Sequence, residues 1–263
     1  MDFRQLSYKQ ITSIINQNIE HDSSIIAKLM ADDRKNVRAL GLRLQKRLNR
    51  DKLELERLRS LWRYEQQAID HGYGYIVGVD EAGRGPLAGP VVAAAVVLKD
   101  YADIKGIDDS KKISPLKRER LYDDIINKAV SYGIGIVHPY EIDETNILMA
   151  TKKAMITAIQ AIKAKVHEVK AEACCILVDA VDLQLEGAVI KPIVKGDQKS
   201  LSIAAASILA KVTRDRIMQE FHNKFPQYRF DKNKGYGTKE HITAIKNHGL
   251  CPIHRRTFIK VPI

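Results

Sequence analysis

The chain has 263 residues, with 43 Lys and Arg against 32 Asp and Glu and a formal net charge of +11. That length allows one large domain or a domain with an appendage, and 45% hydrophobic residues can fill a substantial core. The basic surplus favours a polyanionic partner without separating DNA from RNA; no stretch is long and apolar enough for a transmembrane helix, and the start Met-Asp-Phe-Arg-Gln-Leu has no apolar signal core, so a cytoplasmic protein with no membrane contact is expected.

From residue 1 to about 70 there is no proline, a single glycine at Gly41 and little strand character. Ser7 and Gln10 form a capping-box pattern ahead of Ile11, Ile14, Ile15 and Ile19, which share one helical face. A second, short helix is predicted to start near Asp22-Ser23-Ser24. A longer one starts near Asp32-Asp33 and runs to about Gln67; Leu44, Leu48, Leu55, Leu58 and Trp62 follow helical steps, with Asp51 interrupting the seam. Residues 1–70 therefore read as an all-helical extension. Its apolar stripe is a packed face, and a surface that grips nucleic acid or a partner is the sharper alternative.

From Tyr75 onward the pattern is mixed α/β, which defines a second domain over 71–263. Strands are predicted over 75–80, 90–98, 132–138, 175–179 and 188–194, and helices over 115–129, about 147–164, 201–223 and 239–248. Early strands lie close together and later ones are separated by helices, so the sheet is expected to be mixed. Cys174, Cys175 and Cys251 have no CxxC spacing and read as small core residues.

Residues 78–92 narrow the function most. They read Gly-Val-Asp-Glu-Ala-Gly-Arg-Gly-Pro-Leu-Ala-Gly-Pro-Val-Val. Asp80 and Glu81 close an apolar run that begins at Ile76, and Gly83, Arg84 and Gly85 follow at once. Adjacent carboxylates suit a hard divalent cation. Glycines let the backbone approach a ligand, and a guanidinium matches phosphate. A dinucleotide-binding glycine loop is the rival reading, but Pro86 interrupts the segment and Val91 to Leu98 resumes as a strand rather than a helix. An ordinary hairpin with two solvated acids is the bland reading. Alternation along a strand would point Asp80 and Glu81 to opposite faces, so sharing one metal cluster requires the backbone to leave strand geometry at Glu81.

Two further acids stand where metal ligands belong. Ile176-Leu177-Val178 is a buried-strand run that ends at Asp179, with Asp182 as a reserve in the following turn. Val194-Lys195-Gly196-Asp197 ends another apolar run just ahead of the helix from about Leu201, where a lone acid is more often a cap. Two-metal phosphodiester chemistry needs carboxylates from several such elements.

The run Gly78 to Pro90 closely resembles the opening motif of the ribonuclease HII family. The resemblance continues, in order, through Asp109-Ser110-Lys111-Lys112, Leu177-Val178-Asp179, Lys195-Gly196-Asp197, Ser202 to Asp215, Lys234-Gly235-Tyr236-Gly237-Thr238 and His254-Arg255-Arg256-Thr257-Phe258. It spans roughly residues 73–258. The ribonuclease HIII branch is less similar, because it lacks the Gly-Arg-Gly step. The resemblance implies an RNase H-like α/β fold, a mixed β-sheet flanked by helices. It also implies endonucleolytic cleavage of RNA in RNA–DNA hybrids and 5′ of single ribonucleotides in duplex DNA, leaving 3′-hydroxyl and 5′-phosphate ends. Carried over by position, Asp80, Glu81, Asp179 and Asp197 would be the catalytic carboxylates holding two Mg²⁺ or Mn²⁺ ions, while Gly83, Arg84, Gly85 and Tyr236 would read the ribonucleotide.

A reader of RNA must sense the 2′-OH, which both donates and accepts hydrogen bonds. Lys111 and Lys211, with Lys112, Lys234, Lys239, Arg255 and Arg256, are candidate phosphate contacts against a background of solvated surface charge. His222, His241, His248 and His254 form no HExxH spacing and are read as structural or phosphate-side groups. The enzyme is expected to act as a monomer. A non-catalytic RNA–DNA binding module is the alternative class.

Overall fold

The computed structural model describes residues 3–17, 23–99, 103–163 and 174–259. The chain divides into two compact units, Met1–Arg57 and Leu58–Ile263.

The first unit is helical, with α1 (Tyr8–Gln17), α2 (Ser23–Met30) and most of α3 (Lys35–Leu61). The predicted capping box forms: Gln10 N–H donates to Ser7 Oγ at 3.3 Å, and Ser7 N–H donates to Gln10 Oε1 at 2.9 Å. Ile11 lies in a small core with Phe3, Ile26, Leu29, Val37 and Leu44. Ile19 and Asp22 lie outside the described residues. The Arg34 guanidinium bonds the carbonyls of Phe3 and Leu6 and pairs with Asp32, which ties the N-terminal segment to the start of α3. The single helix expected to run to Gln67 is two helices. A turn at Trp62 separates α3 from α4 (Arg63–Asp70). Helical spacing in sequence continues smoothly through such a turn, so periodicity does not show it.

The second unit carries a five-stranded sheet of β1 (Tyr75–Ala82), β2 (Val91–Leu98), β3 (Ala129–Val137), β4 (Cys174–Asp179) and β5 (Val189–Ile193). The spatial order is β3-β2-β1-β4-β5. The β1–β2 and β2–β3 pairs are antiparallel, whereas β1–β4 and β4–β5 are parallel, so the sheet is mixed as expected. All five strands and the four helices predicted from this region are present: α5 (Pro115–Lys128), α7 (Ile147–Lys163), α8 (Leu201–Lys224) and α10 (Lys239–His248). Two short ones, α6 (Pro139–Glu144) and α9 (Phe230–Asn233), fell below the length at which periodicity can signal a helix.

Every residue of β2 is buried, because both faces of the sheet are covered. Val77, Val79, Ala93, Ala95 and Val97 pack with Ala154, Ala158 and Ile162 of α7. Ala94, Val96 and Leu98 pack on the other side with Leu201 to Val212 of α8, Leu121 and Ile125 of α5, and Leu58 and Trp62. The Ser202-to-Ala210 run is buried on all sides, which explains its small residues. At Gly78 a Cβ would lie 2.1 Å from the Ser202 carbonyl carbon, so α8 sits directly on β1. Among the described residues, no helix is long and apolar enough to cross a membrane.

Candidate active site

The parallel pairing of β1 with β4 sets Val79 opposite Val178, so Asp80 and Asp179 lie side by side at the carboxyl ends of neighbouring strands. Asp197 comes from the 3-10 turn Gly196–Gln198 that leads into α8. This turn is attached to β4, because Gly196 N–H donates to Asp179 Oδ1 at 2.7 Å. Ser200 caps α8 by accepting from Ile203 N–H, so Asp197 lies upstream of the cap.

Asp80 is 5% exposed. Burial pushes its carboxyl well above the usual range, reinforced by the charges of Glu81 and Asp179 and opposed by the Glu81 N–H and the Ser207 hydroxyl. Burial likewise raises Glu81, with Arg84 working against the shift. Asp197 is pushed up to about 6 by burial, then by Asp109 and Asp179. The four sequence-predicted carboxylates are therefore linked electrostatically. Asp182, the reserve, is exposed.

The expected break in strand geometry at Glu81 does not occur. Pairing continues through Glu81 and Ala82 to Ala93 and Val92, and the chain turns only at Gly83, with φ +96°. Glu81 nevertheless lines the same cleft as Lys111 and as Ser207, the hydroxyl partner of Asp80. Its Oε1 lies 3.4 Å from Arg84 Nη1, and its Oε2 is buried without a partner. Among the described residues, no three His, Cys, Asp or Glu side chains are grouped closely enough to hold an ion. The donor set nevertheless fits a hard divalent cation: it is all oxygen, its acids outnumber the neighbouring Arg84 and Lys111, and one buried oxygen is orphaned.

Asp109 is a buried member of this cluster that had no assigned role in the sequence. Its Oδ1 accepts from Lys111 N–H at 2.9 Å, its Oδ2 faces Gln198 Nε2 at 3.3 Å, and its charge helps to raise Asp197. The signal was present in Asp-Ser-Lys-Lys, but an acid in a loop has no periodicity to reveal its burial. Burial acts against the Lys111 ammonium, yet Asp109, Asp80, Asp197 and Asp179 together raise it above its ordinary value. Glu65 of α4 was also missed. It is fully buried, accepting from Ser202 N–H at 2.9 Å and from the hydroxyls of Ser200 and Ser202 at 2.5 and 2.6 Å. A carboxylate there complements the positive end of α8 and fixes the residues that follow Asp197.

Beside the carboxylates lies a cleft of about 300 Å³ whose lining includes Glu81, Gly83, Arg84, Gly85, Lys111 and Tyr236. Tyr236 is 46% exposed, and its carbonyl is held by Thr238 N–H and by His241 Nδ1 at 2.9 Å. Lys211 also lines the cleft but donates to Asp215 at 2.6 Å, and burial lowers its pKa. The structure therefore brings Asp80, Glu81, Asp179 and Asp197 to one end of the sheet, with Gly83, Arg84, Gly85, Tyr236, Lys111 and Lys211 round the adjoining cleft. Lys112, Lys239 and Arg256 are on the surface. Arg255 is not a phosphate contact: it is fully buried and, among the described residues, its guanidinium donates to three backbone carbonyls. His241 and His254 are buried with ring nitrogens 3.1 Å apart and are structural.

A family model described as ribonuclease HII matches residues 77–261, and one described as ribonuclease HII N-terminal domain matches residues 7–69. The chain is 56% identical to a ribonuclease HII of Ruminiclostridium cellulolyticum, over 81% of this chain and 80% of that protein. It is 49% identical to a ribonuclease HII of Clostridioides difficile, over 97% of both. Among solved structures it is similar to the ribonuclease H2 of Pyrococcus horikoshii OT3, with 31% identity, a TM-score of 0.58 and coverage of 70% of this chain and 93% of that one. It is also similar to the RNase HII of Archaeoglobus fulgidus in its complex with PCNA, with 26% identity, a TM-score of 0.58 and coverage of 72% and 97%.

Proposed function

The chain belongs to the ribonuclease HII family, metal-dependent endoribonucleases acting on the RNA of RNA–DNA hybrids, and on that premise we propose that it also nicks duplex DNA 5′ of single embedded ribonucleotides. The products are a 3′-hydroxyl and a 5′-phosphate. The observation that carries this reading is the placement of Asp80 and Asp179, side by side at the strand ends, next to a cleft lined by the Gly83-Arg84-Gly85 loop and Tyr236.

Asp80, Glu81, Asp179 and Asp197 would hold two Mg²⁺ or Mn²⁺ ions. Bound there, the ions supply an activated water for in-line attack and neutralise charge on the leaving 3′ oxygen. The protein contributes orientation. Asp179 is fixed by the Gly196 amide, and Asp80 by the Glu81 amide at 2.7 Å. Lys111, with its backbone anchored on Asp109, faces the carboxylates as a mobile cation able to meet the phosphate. Lys211 is the second candidate phosphate contact. Tyr236 offers a hydroxyl and a ring face to the ribose, beside the glycine loop. We further propose that the enzyme works as a cytoplasmic monomer, that the catalytic domain spans 71–263, and that the helical extension over 1–70 strengthens substrate binding without altering the chemistry.

The test is direct. A labelled DNA duplex with one ribonucleotide is incubated with the protein and Mg²⁺ or Mn²⁺, beside an all-DNA duplex and a long hybrid. A single nick on the 5′ side of the ribonucleotide, absent in EDTA and from the all-DNA duplex, supports the proposal. Cleavage of the long hybrid alone would reject the single-ribonucleotide activity.

A further inference from the structure

Two guanidiniums lie beneath the Gly83-to-Pro90 loop, and neither makes an ion pair among the described residues. Arg255 donates through Nη2 to the Gly83 carbonyl at 2.6 Å, through Nη1 to the Arg84 carbonyl at 2.9 Å and through Nε to the Gly89 carbonyl at 2.9 Å. Arg214 donates to the carbonyls of Pro90, Lys234 and Ala88 at 3.0, 3.0 and 3.2 Å. Both arginines are essentially inaccessible to solvent. Six carbonyls thus turn inward onto two cations.

The amides on the other side of those peptide groups have identifiable fates. A trans peptide is planar, so fixing a carbonyl inward points the N–H of the next residue outward; the chain has no cis peptide. The Gly89 amide then finds the Ile253 carbonyl at 2.8 Å, and the Gly235 amide finds Asn233 Oδ1 at 2.8 Å. Pro90 has no amide, and Val91 has entered β2. The amides of Arg84 and Gly85 remain, and among the described residues neither donates to any group of the chain. They belong to residues that line the cleft beside Tyr236. Backbone donors near protein surface normally find a partner in the chain or in solvent, and two neighbouring amides pointing the same way make an anion- or hydroxyl-binding nest.

We propose that Arg255 is the positioning residue that sets the polarity of the reading loop, turning the Gly83 and Arg84 carbonyls inward so that the Arg84 and Gly85 amides face the ribose 2′-oxygen and its phosphate as a donor pair. Arg214 holds the second half of the loop and the start of the Tyr236 turn on the same scaffold. The planar guanidinium is needed because one group must reach three carbonyls in fixed directions, which an ammonium cannot reproduce. This inference rests on the ribonucleotide-reading function proposed above.

The experiment compares wild type with Arg255→Lys in the full chain, measuring affinity for a duplex with one ribonucleotide and for the same all-DNA duplex, with Ca²⁺ in place of Mg²⁺ and absence of cleavage verified. In the wild type, the ratio of the two affinities reports discrimination. Arg255→Lys should lower that ratio about tenfold while affinity for the all-DNA duplex stays within about twofold, because only the donor pair is disturbed. A folded variant with the wild-type ratio overturns the proposal, and a wild type with no preference for the ribonucleotide overturns the reading function itself. Should Arg255→Lys fail to fold, hydrogen exchange in the wild type decides the matter. The Arg84 and Gly85 amides should become protected on binding the ribonucleotide duplex and much less so on binding the all-DNA duplex. Equal protection by both duplexes overturns the proposal.

Discussion

Replacing Asp80 with Asn should make the metal-free protein more stable while removing its cleavage activity. Asp80 is buried and close to two like charges, and its carboxylate accepts from the Glu81 amide and the Ser207 hydroxyl. Two unit charges about 4 Å apart repel by about 4 kcal/mol at an effective dielectric of 20. The carboxyl escapes part of that cost by keeping a proton, so the net penalty grows with pH. Because the folded-state pKa lies above the unfolded value of about 3.8, the native state binds more protons in the window between the two. Stability of the wild type therefore falls as pH rises through that window. An amide can keep the bond to the Glu81 N–H and carries no charge, so Asp80→Asn should gain about 1–3 kcal/mol at pH 8 and less at pH 5. In a chain of this size that is a rise in Tm of about 2–12 °C. Thermal unfolding in EDTA at the two pH values measures it. Mg²⁺ at 100 times its Kd should then stabilise the wild type by about 2.7 kcal/mol and the variant much less. A variant less stable than wild type in EDTA, or one with an undiminished Mg²⁺ shift, would refute the view that Asp80 is a buried acid destabilised by its acidic neighbours and relieved by a cation.

Asp197, raised to about 6, must lose its proton to act as a ligand, so metal affinity should climb as pH rises through about 6, and Asp197→Asn should flatten that dependence in a metal titration followed by Tm. Tyr236→Ala should cut kcat/KM at a single ribonucleotide by about 10–100-fold while sparing the melting temperature, since Tyr236 is half exposed; an unchanged rate removes it from the reading role. Deleting residues 1–57 should leave a folded and cleaving protein, whereas deleting 1–70 also removes Glu65 and should lower the Tm. Glu65→Ala in the full chain should cost about 1–3 kcal/mol, because it frees a buried helix N-terminus and two serine hydroxyls; equal Tm values for the two deletions would argue against this role.

Strands and long helices of the second unit were legible because burial on two faces leaves continuous apolar runs such as Val91 to Leu98, and Asp179 was legible because such a run stops at it. What the sequence could not convey is contact between elements. Glu65 lies 135 residues before Ser200, and its carboxylate looks like any helix-surface acid until α8 is brought against it. Arg255 shows the reverse error. A basic residue beside a second arginine suggests phosphate, and only its three carbonyl partners show it to be an interior scaffold. Asp109 and Gln198 meet across 89 positions for the same reason.

The break expected at Glu81 came from a sound premise about alternation, and its failure bears on how the site works. Since β1 stays paired to Ala82, the sheet itself sets Asp80 beside Asp179, and Glu81 reaches the adjoining cleft without a break in the strand. Its partner in the present arrangement is Arg84, on the loop whose carbonyls are fixed by Arg255. Gly83 makes the turn out of the paired strand. Its φ of +96° is disfavoured for other residues, and a Cβ there would lie 2.1 Å from Arg214 Nε. The candidate metal carboxylate and the candidate reading loop are thus joined by an ion pair, Glu81 with Arg84, three positions apart on either side of one glycine.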